Sequence, residues 1–254
     1  MWSLSGGRVR LTDYGGRMAN QTVVGRVVSL FRYPVKSMAA QVLDEVDVSW
    51  QGFVGDRRWA FIQDGHERSD FPWLTVRELP VMWTYRPSFV DPLRPDKSPT
   101  VVRTPTGTEL DVVDPALAAE LGPGVRVIKQ ERGIFDAFPL SLISTRTVTD
   151  LGATVGAKLD PLRFRPNLVV EPTDDTPFPE DAWVGSVLRI GDVRMRVDKR
   201  DQRCIMINVD PKTTERNPAV LRALGGDRQA CVGVYGSTVT PGRVAVGDAV
   251  SLES

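Results

Sequence analysis

The chain has 254 residues, 41% of them hydrophobic, enough to bury one large core or two small ones. Thirty-two basic and thirty-two acidic side chains cancel, so no global field draws the molecule to nucleic acid or to an anionic membrane surface. Two distant cysteines and one histidine do not fit a disulfide framework, a zinc site or an iron–sulfur cluster.

This cysteine usage, with no run of about 18 apolar residues and no signal-peptide core, predicts a cytoplasmic protein without a membrane span. Residues 1–21 are glycine-rich and polar and are expected to form a flexible arm. Short β-branched runs follow at 22–31, 41–50 and 59–63. The proline-dense stretch 87–105 reads as a surface crossover, which places a boundary between residues 22–105 and 106–254. A Pro-initiated helix is expected at 115–121, and a second at 144–151, where Ser144 and Thr145 supply the cap. Strands at 168–170, 194–197 and 243–252 enclose a third short helix at 218–224. The fold class is mainly β with some α (α+β), and a doubly wound parallel sheet is excluded.

Most catalytic patterns are missing. No glycine-rich dinucleotide or phosphate loop follows a strand, and His66 stands in a polar turn-like segment that reads as surface. The carboxylate pairs Asp174-Asp175 and Glu180-Asp181 lie among prolines and read as solvated loops. Cys204, in Asp201-Gln202-Arg203-Cys204, is the exception. A thiolate is a soft metal ligand, and an adjacent guanidinium favours the deprotonated form; the alternative is a small buried hydrophobe. Basic residues also end several strand-like runs: Lys36-Ser37 after Tyr33-Pro34-Val35, Arg57 in Gly55-Asp56-Arg57-Arg58-Trp59, Arg77 in Thr75-Val76-Arg77-Glu78, and Arg165 in Phe164-Arg165-Pro166-Asn167. Together with Arg203 they suggest an anionic, phosphate-bearing cofactor lying across several loops.

These five motifs, in this order and spread from about Val23 to Leu252, resemble the MOSC-domain proteins. The resemblance implies a MOSC β-barrel with a smaller mixed β/α N-terminal domain packed against it and a cleft between them. Within the family the motifs are most similar to the molybdenum enzymes typified by the mitochondrial amidoxime-reducing component. That similarity implies molybdenum cofactor (Mo-molybdopterin), with Cys204 as the protein ligand on the metal. Lys36, Ser37, Arg57, Arg165 and Asn167 would hold the phosphate and pterin edge, with Arg203 beside the ligand and Ser144 and Thr145 at a helix entry. Cys231 matches no ligand position. The implied reaction is reduction of small N-hydroxylated substrates such as amidoximes, with Asp210 or Asp198 the nearest carboxylates in sequence for proton delivery. Electrons would come from a separate ferredoxin-like or flavin/iron–sulfur donor protein, since no cluster or dinucleotide loop is visible. The alternative is a cofactor carrier or sulfur-transfer module without reductase activity.

Overall fold

The computed structural model describes residues 21–65 and 71–253. Of the arm expected over residues 1–21, residues 1–20 lie outside the described residues, as does His66, expected at the surface, while Gln21 opens the first strand. The first half carries β1 (Gln21–Arg32), β2 (Gln41–Leu43), β3 (Glu45–Ser49), β4 (Gly52–Phe53), β5 (Trp59–Gln63), β6 (Arg86–Phe89), β7 (Thr100–Arg103), β8 (Glu109–Asp111), α1 (Pro115–Leu121) and β9 (Val125–Lys129). The second half carries β10 (Leu140–Ser144), α2 (Thr145–Val155), β11 (Leu168–Pro172), β12 (Val187–Ile190), β13 (Val193–Gln202), α3 (Ala219–Arg222), β14 (Cys231–Thr240), β15 (Gly242–Ala245) and β16 (Ala249–Glu253). The mainly β, α+β class is the one observed; α1 matches its expected segment, α2 starts as expected but runs on to Val155, and α3 lies inside the expected 218–224.

Strand pairing closes a barrel. The order β11-β10-β14-β13-β12-β16-β1 returns from β1 to β11, giving a seven-stranded ring with β2 attached to β1 outside it. Only the β10–β11 pair in this ring is parallel. Closure needs one long strand that bends, and β1 shows register shifts between Val23 and Gly25 and between Val27 and Ser29. Gly25 lets the neighbouring backbone approach, because a Cβ there would lie 2.6 Å from the Glu171 carbonyl oxygen. Alternation along β13 sends Val193, Met195 and Val197 inward and leaves Arg194 and Arg196 exposed. Inside, these residues join Val27, Leu30, Leu142, Leu188 and Val250 in the barrel core. On the outside, α2 and α3 cover a second apolar layer that includes Ile143, Leu151, Val169, Val220 and Val232.

A separate core around Phe61, Met82, Trp83, Val102 and Leu117 is built by β5 to β9 with α1. Here one expectation is corrected: the segment 87–105 is no structureless crossover, because its ends form the β6–β7 hairpin, with Pro87 paired to Val102. β6 is the edge of its three-stranded sheet, the place where a residue without an N–H breaks no ladder. Residues 104–108, where the boundary was expected, form the turn between β7 and β8, with Thr104 N–H donating to the Thr108 carbonyl. The barrel itself takes β1 from the start of the described chain and β16 from its end.

Candidate functional site

A cleft lies where the barrel rim meets the second core. Five cations line it: Lys36 and Arg57 from the connections after β1 and before β5, Arg77 from the segment before β6, Arg165 before β11, and Arg203 at the end of β13. Asp136 and Asp201 also line it, and Asp56 lies directly behind Arg57. Five cations against three carboxylates leave a local excess of positive charge in a chain of zero net charge. Phe71, Phe135, Phe138, Phe164, Met206 and Tyr235 supply its apolar walls.

Local backbone geometry explains how side chains distant in sequence converge. Ser37, Arg57 and Arg165 have φ of 68°, 48° and 50°, a left-handed conformation that non-glycine residues seldom adopt. Such turns are retained where surrounding bonds over-determine them. Arg57 N–H donates to the Tyr33 carbonyl at 2.6 Å, and Arg165 N–H closes a 3₁₀ turn onto Leu162. Asp56 is the buried hub of this arrangement: it accepts from Tyr33 N–H at 2.6 Å and from Asn167 Nδ2 at 3.0 Å, and it pairs with Arg57. Asn167 is saturated, donating to Asp56 and to the Phe31 carbonyl while its Oδ1 accepts from Arg57 and Ser141 N–H. Its role is therefore to fix Arg57 and the barrel rim.

Other groups are left with capacity. Arg165 is buried, stacks 4.1 Å from the Tyr33 ring centroid and 4.8 Å from that of Trp83, and donates Nη1 to the Met38 carbonyl. Its Nη2 has no hydrogen-bond partner, and neither has Arg77 Nε. Burial lowers the Arg165 pKa to about 10, so it stays charged at neutral pH. Lys36 is lowered by burial, partly offset by Asp136, with which it pairs; its Nζ also donates to the Ile134 carbonyl. Burial works against ionisation of Asp136, but the Lys36 charge prevails and holds that carboxyl below its ordinary range. Arg203 donates Nε to the Val232 carbonyl and Nη1 to the Phe164 carbonyl, and it faces Asp201 at 2.7 Å.

Cys204 stands between Arg203 and Met206, both cleft residues, at the N-terminus of a 3₁₀ turn over Ile205–Asn208; it is a half-buried free thiol. Cys231 is free and buried. Of the residues expected from sequence, Lys36, Ser37, Arg57, Arg165, Asn167 and Arg203 come together around this cleft. Cys204, Ser144 and Thr145 are not among its lining residues, although Cys204 directly follows Arg203, which is. The Ser144 hydroxyl is buried, accepting from Thr147 N–H as the cap of α2. Asp210 is also elsewhere, accepting from Lys212 and Thr213 N–H and pairing with Arg163 at 2.7 Å. Sequence reasoning passed over Asp56, Asp136 and Asp201, although Asp56 and Asp201 stand inside quoted motifs. It also read Glu180 as solvated, whereas Glu180 is wholly buried and accepts from Ser144 N–H and Thr147 Oγ1. Glu180 lies within the 3₁₀ turn Pro179–Trp183, whose Trp183 is anchored in the barrel core, a placement with no local signal.

Residues 24–121 match the MOSC N-terminal beta barrel domain, and residues 129–251 match the MOSC domain. The chain belongs to the MOSC-domain proteins. Curated relatives of this MOSC chain include human mitochondrial amidoxime-reducing component 1, 30% identical over 49% of this chain and 40% of that protein. Molybdenum cofactor sulfurase of Drosophila mojavensis is 25% identical over 78% of this chain and 30% of its own length. Bovine mitochondrial amidoxime reducing component 2 is 38% identical over 31% of this chain and 22% of that one. The MOSC chain thus spans less than half of each of these relatives. Its fold is shared with the YUAD protein from Bacillus subtilis, at a TM-score of 0.51 and 16% identity over 93% of this chain and 99% of that one. Among the described residues, no helix is long and apolar enough to cross a membrane, and no group of three or more His, Cys, Asp or Glu side chains gathers for a metal.

The donor set suits an anionic, sulfur-linked metal cofactor. Unpartnered guanidinium nitrogens on Arg77 and Arg165 match acceptor oxygens, the excess charge matches a phosphate, and the Cys204 thiol, next in the chain to the lining residue Arg203, would suit a soft metal otherwise ligated by the cofactor.

Proposed function

We propose that this MOSC protein is a molybdenum-cofactor-dependent oxidoreductase that reduces small N-hydroxylated compounds, such as amidoximes, with electrons from a separate donor protein. The observation that carries the reading is the cationic cleft with unpartnered nitrogens on Arg77 and Arg165, lined by Arg203, the chain neighbour of the half-buried thiol Cys204. Cys204 would bind the metal, Lys36, Ser37, Arg77 and Arg165 the phosphate and pterin edge, and Arg57 the same edge from a position fixed by Asp56 and Asn167. Arg203, tied to two carbonyls, orients the strand end that presents Cys204. The cofactor would supply two-electron chemistry at molybdenum. The chain's own residues hold it, offset its charge and exclude water around the aromatic walls.

Similarity to amidoxime-reducing components supports this activity. A second reading, a cofactor carrier or sulfur-transfer module, draws on the longer match to molybdenum cofactor sulfurase, which reaches 78% of this chain. Turnover separates them. Purified, cofactor-loaded protein given a viologen radical should reduce an amidoxime to the amidine; full cofactor loading without turnover of any N-hydroxylated compound would leave the carrier reading.

A further inference from the structure

Cleavage of an N–O bond must convert a poor leaving group, hydroxide, into water, so the site needs an acid that is still protonated near neutral pH. Four carboxyls in or near the cleft can be compared. Asp56 is enclosed and accepts from three donors. Asp136 is held as a carboxylate by Lys36. Asp210 lies outside the cleft lining; burial opposes its ionisation, but backbone N–H groups and Arg163 hold it below the usual range. Asp201 differs from all three. It is buried at the cleft wall, its Oδ2 meets Ser141 Oγ at 3.4 Å and Arg203 at 2.7 Å, and its Oδ1 has no hydrogen-bond partner.

We propose that Asp201 is the acid that protonates the oxygen leaving the substrate, a role that rests on the reductase reading. In balance, R–N–OH takes two electrons and two protons to give R–NH and water. The electrons come from the separate flavin- or iron–sulfur-class donor protein. As the N–O bond breaks, the Asp201 carboxyl gives one proton to the departing oxygen, and solvent gives the second to nitrogen. Asp201 is left as a carboxylate facing Arg203 and takes its proton back from solvent. Burial raises its pKa to about 6 despite the Arg203 charge. The groups that face it are Arg203 on its own segment, Ser141 on β10, Tyr235 on β14 and Asp136 on the connection before β10. An anionic cofactor would raise it further, because like charge disfavours the carboxylate. The protonated form therefore predominates below about pH 6 in the chain alone, and a bound anionic cofactor moves that limit up toward neutral pH.

The test combines isotope-edited infrared titration of Asp carboxyls in cofactor-loaded protein with viologen-driven turnover against pH, for wild type and Asp201→Asn. Asparagine keeps an acceptor for Arg203. We expect a protonated-carboxyl band titrating at or above pH 6 that is missing from the variant. The variant should keep its molybdenum and pterin, lose turnover by about 100-fold or more, and lose the decline of rate with rising pH. A wild type without such a band overturns the proposal whatever the variant does. Full turnover by Asp201→Asn with an unchanged pH profile overturns the donor role alone. A wild type that shows the band yet reduces no N-hydroxylated compound overturns the reductase reading, and the donor role with it.

Discussion

At the scale of single residues, the site depends on which side chains have spare bonding capacity. Cys204→Ser removes the soft ligand at a half-buried position, so thermal unfolding should stay within a few degrees of wild type. Cys231→Ala truncates a buried residue and should retain activity with a small loss of stability, measured by the same melt. Lys36→Ala and Arg165→Ala should each weaken retention of the pterin by about 1–3 kcal/mol, read as pterin content after purification. Arg57→Ala should weaken it too, and should also destabilise the protein, because it leaves Asp56 buried without its cation. The cationic residues were legible in the sequence because each stands in a short, recognisable motif. The carboxylates were not. Asp201 and Asp210 both pair with an arginine; what distinguishes them is that Asp201 meets Ser141, 60 residues away, at the cleft wall, whereas Asp210 meets Arg163, 47 residues away, outside it.

At the scale of elements, regular strands and caps were readable and long-range supports were not. Helix α2 begins where Ser144 stands because its hydroxyl takes an orphan N–H, as the sequence suggests. The second support, Glu180, comes from 36 residues away and bonds Ser144 N–H at 3.3 Å and Thr147 Oγ1 at 2.8 Å. Burial raises the Glu180 pKa, and these bonds pull it back. Glu180→Ala should therefore lower stability by about 2 kcal/mol in urea unfolding, because two buried donors lose their acceptor. Cofactor content should change little, since neither Glu180 nor Ser144 lines the cleft. The segment 87–105 misled for the opposite reason: proline density signals loops on average, yet an edge strand tolerates proline where its N–H side faces no partner.

At the scale of the whole molecule, the cleft exists because a barrel closed by β1 meets a second core built from β5 to β9 and α1. Arg57 comes from the first half of the chain and Arg165 and Arg203 from the second, so the site needs both halves. Among the described residues the two cysteines build no cluster, and no dinucleotide loop is present in the sequence. The loaded protein should therefore be inactive with NADH or NADPH alone and active with a viologen radical or a reconstituted donor chain; a spectrophotometric amidoxime assay checks this. Nicotinamide-driven turnover by the isolated chain would contradict the separate-donor arrangement.

The most direct test of the central claim, a molybdenum cofactor held in this cleft through Cys204, is the joint molybdenum and pterin content of protein made in a host that synthesises the cofactor. The account predicts matching, near-stoichiometric molybdenum and pterin in wild type, and a molybdenum-to-pterin ratio that falls in Cys204→Ser while its fold persists. Wild type free of both, or Cys204→Ser with the wild-type ratio, would contradict it.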